Sequence, residues 1–324
     1  MKAVMAMKIG NLGMGDLPVP KPGEYEALVR MEACAICNST DHKLLMNEFF
    51  PGIFPIVLGH EVVGRVTEIG RKVRNFKPGD RVFRQRLADQ HVPGGRSCWG
   101  GFAEYGLVSD EWAKQGKPYG SGALPHDQQK LLLDVEPALA TGMVTLMETL
   151  DCIATCGAGP GKSVAIVGTG PVAQAFAMFA HLLGARPVYA FGRRADAKAR
   201  FESVSHADGF VIGQELPAEV AAIVKKGGFD LVMEAVGAQE AFETCLKLQG
   251  DKGRINVYGI APHSKPYQVD QKKVKNVTWN GATEGRAQAK LVEYVKAGPV
   301  RLEDWVSHRF PLADFQKAFD MVAE

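Results

Sequence analysis

Residues 163–185 read SVAIVGTGPVAQAFAMFAHLLGA. Ser163–Val167 is a short, continuous apolar run, the pattern of a strand buried on both faces of a parallel sheet. Gly168-Thr169-Gly170-Pro171-Val172-Ala173 follows, and an Ala-rich stretch of helical character then runs to about Leu183. Strand, glycine turn and helix in that order form the G-x-G-x-x-A version of a dinucleotide-binding fingerprint. Gly168 allows the tight turn, Gly170 lets the backbone approach a pyrophosphate, and Ala173 permits close helix–strand packing. Pro171 and Val172 open the helix, whose N-terminus offers unpaired N–H groups and a positive dipole end to phosphate. Taken alone the motif is weak, because an ordinary turn from strand to helix reads the same way.

The next strand, Arg186–Phe191, bears on which dinucleotide fits. A site for NAD usually places Asp or Glu at the end of this strand, to bond the ribose 2′-hydroxyl. Here the strand runs out into Gly192-Arg193-Arg194. A carboxylate would repel a 2′-phosphate, whereas an Arg binds one bidentately. The reading favours NADP over NAD. The alternatives are that Arg193 and Arg194 are only solvated and that Asp196 takes the acidic role.

Outward from this centre, apolar runs at Phe210–Ile212, Leu231–Met233 and Arg254–Tyr258 alternate with helix-like segments, as βαβ units of a doubly wound sheet do. Ala287–Lys296 and Phe315–Val322 read as further helices. Residues 1–110 differ. Short β-like runs at Ala27–Met31, Ile56–Leu58, Val62–Ile69 and Arg81–Phe83 are punctuated by Gly and Pro, and residues 130–155 turn helical in character. The chain has 324 residues, enough for about two domains. Hydrophobic residues make up 46% and charged residues 23%, which excludes wholesale disorder, collagen and coiled coil. A net charge of +2 gives no basic field for nucleic acid. Six cysteines are too few for a disulfide scaffold. The N-terminus lacks a sustained apolar segment and no long uninterrupted apolar window occurs. These features predict a cytoplasmic protein with free thiols and no membrane span.

Cys37 and His60 flank an apolar, Pro-bearing stretch, and Glu61 follows His60 directly. Thiolate, imidazole and carboxylate together suit zinc, and three protein ligands plus an open position make a catalytic site. Ser39 and His42 offer a hydroxyl and an imidazole to relay a proton. Other readings stand beside this one. A single Cys or His is more often core than ligand, and Cys34-x-x-Cys37 also fits a redox pair. Phe49, Phe50, Phe54 and Trp99 suit either a substrate pocket or a core.

Residues 59–82, GHEVVGRVTEIGRKVRNFKPGDRV, closely resemble the signature of the zinc-containing medium-chain dehydrogenase/reductases. CNSTDH at 37–42, GGFAEY at 100–105 and VSHRFPLADFQKAF at 306–319 are similar to further segments of that family, so the resemblance spans essentially the whole chain. It implies a GroES-like β-rich catalytic domain over 1–145 and 281–324, with a Rossmann domain over 146–280 inserted between them. It also implies an active site in the cleft. By this analogy Cys37 and His60 are zinc ligands, Glu61 ligates or sits close behind, and Ser39 and His42 form the relay.

The sequence departs from the family pattern in three places. Residues 83–100 hold a single cysteine, Cys98, where many members carry four for a structural zinc, so one zinc is expected. The last protein ligand of polyol-type members would fall on Glu136, in Glu136-Pro137-Ala138. Glu136 precedes Gly168 by more than the resemblance leads one to expect, by about two helical turns, which leaves Glu148 as a competitor. The Gly192-Arg193 pair resembles NADP-using members. The expected function is zinc-dependent hydride transfer between NADP and a secondary alcohol or polyol, or the corresponding ketone. The rivals are a zinc-independent quinone or enone reductase of the same superfamily and a cofactor-binding protein without turnover. The expected partner is a small-molecule substrate, with no nucleic acid and no membrane, and the chain is expected to form a homodimer or homotetramer.

Overall fold

The computed structural model describes residues 1–121, 127–213, 215–270, 272, 274–279, 281 and 284–323. The chain divides into two compact units, Met1–Thr145 with Glu284–Glu324, and Leu146–Thr283.

Among the described residues the first unit is built on eight strands: β1 (Lys2–Lys8), β2 (Asn11–Asp16), β3 (Glu26–Ala35), β4 (Ile56–Val57), β5 (Glu61–Ile69), β6 (Arg81–Phe83), β7 (Arg96–Ser97) and β8 (Tyr105–Ser109). They form two four-stranded sheets, ordered β2-β1-β4-β7 and β6-β5-β3-β8. The pairing of β3 with β5 positions the site. It is antiparallel and runs from Ala27 opposite Ile69 to Ala35 opposite Glu61. Because β3 ends at Ala35 and β5 begins at Glu61, the chain just beyond each end, at Cys37 and at His60, emerges at the same end of the ladder. A short helix, α1 (Thr40–Leu45), packs Leu44 and Leu45 against Val4, Ala6, Ile56 and Leu58. The C-terminal segment joins the same core. Its helix Phe315–Ala323 places Phe319 edge-on to Phe102, ring centroids 5.8 Å apart. A buried Arg84–Glu284 ion pair ties residue 284 to β6's end.

GGFAEY contributes only Tyr105 to a strand, because β8 starts there. The leucine run before residue 137 is not helical. Leu131 instead donates its N–H to the Arg81 carbonyl (2.9 Å) and Lys130 bridges to Val82. The helix begins at Pro137, whose missing N–H costs nothing in the first turn, and runs to Thr155. By length and mean hydropathy, 1.2, this helix is apolar enough to cross a membrane. Its Met143, Val144, Leu146, Met147, Leu150 and Ile153 are buried in the fold, as in a core helix.

The second unit holds β9 (Val164–Val167), β10 (Val188–Gly192), β11 (Gly209–Ile212), β12 (Phe229–Glu234), β13 (Gln249–Val257) and β14 (Val277–Thr278). All pair in parallel, in the order β11-β10-β9-β12-β13-β14. This is the 3-2-1-4-5-6 order of a Rossmann sheet. Every residue of β9 is buried, which explains why that strand reads as a continuous apolar run. Helices Pro171–Leu182, Lys198–Ser203, Ala218–Lys225 and Gln239–Leu248 connect the strands. The sequence reading missed β14 and started β13 five residues late, at Arg254 rather than Gln249.

Candidate active site

In the first unit, the donor atoms of Cys37, His60 and Glu61 lie within 4.8 Å of one another. His60 and Glu61 are buried and Cys37 is half-buried. The carboxylate of Asp41, fully buried, organises the cluster. It accepts the Cys37 N–H (2.9 Å) and the Gly59 N–H (3.3 Å), joining the two ligand-bearing segments, and its Oδ1 sits 3.5 Å from His60 Nδ1. Burial works against a charged His60 imidazole, but the Asp41 carboxylate beside it prevails and holds the ring's pKa well above the usual histidine value. His60 Nε2 lies 3.9 Å from Glu61 Oε1. Glu61 Oε1 accepts the Thr145 hydroxyl at 2.7 Å, and Arg84 donates to the His60 carbonyl at 2.9 Å. The Thr40 N–H points at Cys37 Sγ, 3.5 Å away.

Whether these residues fit a metal rests on their chemistry. His60 Nδ1 is buried without a hydrogen-bond partner. A soft thiolate, an imidazole and a carboxylate converging at this spacing match the donor set zinc takes, and Asp41 supplies the outer partner that fixes such a histidine. Asp41 and Arg84 were not singled out in the sequence. The signal for Asp41 was available, as a carboxylate within CNSTDH, but its burial was not.

The other expected residues are placed differently. Ser39 stands at the N-cap position of the short α1 helix without a side-chain capping bond, and its Oγ accepts from Lys43 Nζ (2.6 Å), one turn on, rather than bonding His42. Ser39 and His42 are exposed. Glu136 does not join the cluster. Its carboxylate forms a two-pronged ion pair with Arg309, at 3.1 and 3.0 Å, on the surface. Glu148 lies in the second unit, where it accepts the Tyr258 hydroxyl at 3.0 Å. Trp99 lies 5.2 Å from His60, ring to ring. Cys34 and Cys98 pack on the apolar core of the first unit.

In the second unit, Gly168 has φ +144, and a Cβ there would fall 3.1 Å from both the Ala173 Cβ and the Ala235 carbonyl. The turn therefore admits no side chain at 168 and only a small one at 173. Gly170 stands at the N-cap with open space around it and Pro171 opens the helix, so the backbone there is accessible to a bulky anion. Val172 continues that first turn. Gly192 is close-packed, since a Cβ would fall 2.1 Å from the Thr169 methyl. This contact brings the end of β10, and Arg193 after it, beside the glycine turn. Arg193 is exposed with no ion-pair partner among the described residues. Arg194 pairs with Asp196 at 2.7 Å. Arg200 donates to Gln174, which donates to the Thr169 carbonyl, a brace on the turn that sequence reading did not find. At the ends of β12 and β13, buried Glu234 accepts the Val236 and Gly237 N–H groups (2.9 Å each) and the Tyr267 hydroxyl (2.7 Å). Burial pushes its carboxyl above the ordinary value.

Residues 23–117 match the alcohol dehydrogenase GroES-like domain and residues 171–297 the zinc-binding dehydrogenase domain, together more than half of the chain. The chain is 28% identical over 332 residues to an L-threonine 3-dehydrogenase of Anaeromyxobacter dehalogenans (strain 2CP-C), covering 95% of this chain and 90% of that one. It is 29% identical over 363 residues to an L-threonine 3-dehydrogenase of Shigella dysenteriae serotype 1 (strain Sd197), covering 99% and 96%. Among solved structures it resembles a putative zinc-binding dehydrogenase of Sinorhizobium meliloti 1021 bound to NADP, with a TM-score of 0.75 and 25% identity over 98% of this chain and 94% of that one. With a GroES-like unit, a Rossmann sheet and a thiolate–imidazole–carboxylate cluster on one chain, the protein belongs to the zinc-dependent medium-chain dehydrogenase/reductase family of alcohol and polyol dehydrogenase-like oxidoreductases.

Proposed function

We propose that this chain is an NADP-preferring dehydrogenase that moves hydride between the nicotinamide and a secondary alcohol or polyol carbon, or the corresponding ketone. The observation that carries the reading is the convergence of Cys37, His60 and Glu61 within 4.8 Å. These three residues would hold one zinc, with Asp41 fixing the imidazole from behind. Bound there, zinc would polarise a carbonyl oxygen or acidify an alcohol. Ser39 would relay the proton that leaves the substrate hydroxyl, accepting it as its own hydroxyl proton passes on towards His42. His42, exposed on the same turn, would exchange the proton with solvent. The compact units 1–145 with 284–324 and 146–283 would be the catalytic and the NADP-binding domains.

The NADP preference rests on Arg193, which has no carboxylate partner among the described residues, and on the absence of an acid at the end of β10. A charge-assisted bond to a 2′-phosphate contributes about 1.5–3 kcal/mol, so Arg193→Ala should weaken NADPH binding tenfold or more and leave NADH binding unchanged. The function is tested by NADPH-dependent reduction of a panel of ketones, with Cys37→Ser as the control. Stoichiometric zinc with turnover lost in Cys37→Ser supports the reading. NADPH binding with neither zinc nor turnover would leave a binding protein instead.

A further inference from the structure

A cavity of about 340 Å³ opens in the first unit, lined by Phe50, Arg96, Ser97, Cys98 and Trp99. Trp99 joins it to the metal-type cluster. The ring lines the cavity and lies 5.2 Å from His60 and 6.2 Å from Phe50. Phe50 and Trp99 have φ of +45 and +67, a left-handed backbone that costs an aromatic residue energy and that clusters at binding sites.

Arg96 gives the cavity its chemistry. The guanidinium donates through Nη2 to the Phe50 carbonyl. Its Nε is buried with no hydrogen-bond partner, and so is the neighbouring Ser97 hydroxyl. Among the described residues no carboxylate lies within ion-pair distance of Arg96. The nearest acid in sequence, Asp89, accepts the Ser97 N–H at 2.8 Å. A half-buried cation with no counter-ion among the described residues, on the lining of a cavity and beside an unsatisfied hydroxyl, fits an oxyanion held by charge-assisted N–H bonds.

We propose that this cavity is an anion-binding subsite of the substrate pocket, so that the substrate is a secondary alcohol, or its ketone, carrying a carboxylate or phosphate group. The link to a substrate rests on the dehydrogenase reading of the Cys37–His60–Glu61 centre, whereas anion binding at Arg96 does not. The experiment titrates the protein at fixed ionic strength with malonate and with inorganic phosphate, using neutral malonamide as control. Binding is followed by calorimetry and by tryptophan fluorescence. At least one anion should bind saturably and malonamide should not. Arg96→Gln should weaken that binding tenfold or more. Arg96→Lys, which keeps the charge without the fork, should weaken it less, and it serves if the Gln variant does not fold. Tighter malonate assigns a carboxylate and tighter phosphate a phosphate. Saturation by neither anion, or binding unchanged in both variants, overturns the proposal. Zinc analysis and NADPH titration on the same preparation judge the dehydrogenase reading separately. Anion binding without zinc or NADPH removes the link to a substrate, while zinc and NADPH binding without an Arg96-dependent anion site removes the subsite alone.

Discussion

Asp41 is the single side chain on which the geometry of the cluster depends most. It is fully buried, accepts N–H groups from both ligand-bearing segments and faces the His60 ring. Removing its charge while keeping its shape separates these roles. In Asp41→Asn the single amide oxygen can accept from only one of the two backbone N–H groups, and the imidazole loses the carboxylate that fixes it. Outer partners of this kind typically contribute 10- to 100-fold to metal affinity. Zinc retained by Asp41→Asn in competition with a chelator should fall by that factor, beside a loss of stability from the one backbone N–H left unpaired. Unchanged zinc retention would remove Asp41 from the site. Sequence alone carried Cys37, His60 and Glu61 as one set, because thiol, imidazole and carboxylate stand out by residue type. It did not separate Asp41 from Ser39 and His42, since burial rather than identity distinguishes them. Glu136 was misleading for the same reason, because its partner Arg309 is remote in sequence.

At the scale of elements, β3 to β6 and β9 to β13 were legible as apolar runs, while β1, β2, β7, β14 and the register of the ladders were not. β3 and β5 carry two irregularities in their pairing, between Leu28 and Val29 and between Met31 and Ala33. Each shifts the ladder by a residue, and period-two alternation does not reveal where. The loop closures around these strands are equally specific. Asp110, fully buried after β8, accepts four donors: the Arg74 and Asn75 N–H groups (2.8 Å each), Asn75 Nδ2 (2.7 Å) and the Ala113 N–H (3.0 Å). Burial opposes its ionisation, but these donors prevail and its pKa lies below the ordinary carboxylate value. A depressed folded pKa means that this group's stabilisation is complete above the unfolded value and is lost as the pH falls through the folded one. Asp110→Ala should therefore cost about 3 kcal/mol at neutral pH, since it leaves buried donors unpaired. Asp110→Asn should lose stability less steeply than the parent as the pH falls below about 4. Denaturant melts at several pH values measure both, and parallel acid profiles for parent and Asp110→Asn would contradict the assignment.

For the molecule as a whole, the fold class was legible because two independent patterns coincide, a β-rich stretch with its glycine punctuation and a βαβ alternation around the turn at Gly168. The core that the C-terminal segment completes was not legible from periodicity. Phe319 meets Phe102 and Glu284 meets Arg84 across more than half the chain, and only the family resemblance pointed to that return. Chain-wide composition also bears on metal content. A structural zinc needs four protein ligands, usually cysteines on a short loop. Between Phe83 and Gly100 this chain has only Cys98, which is 7% exposed and packs among Ile56, Leu58 and Phe102. Among the described residues Cys37, His60 and Glu61 form the one group of three or more such side chains whose donor atoms converge. Elemental analysis of the purified protein should therefore give about one zinc per chain. That zinc should be lost in Cys37→Ser and kept in Cys98→Ser. Two zinc ions per chain would show that the loop between β6 and β8 binds metal with donors beyond its one cysteine, and loss of metal in Cys98→Ser alone would make Cys98 a ligand.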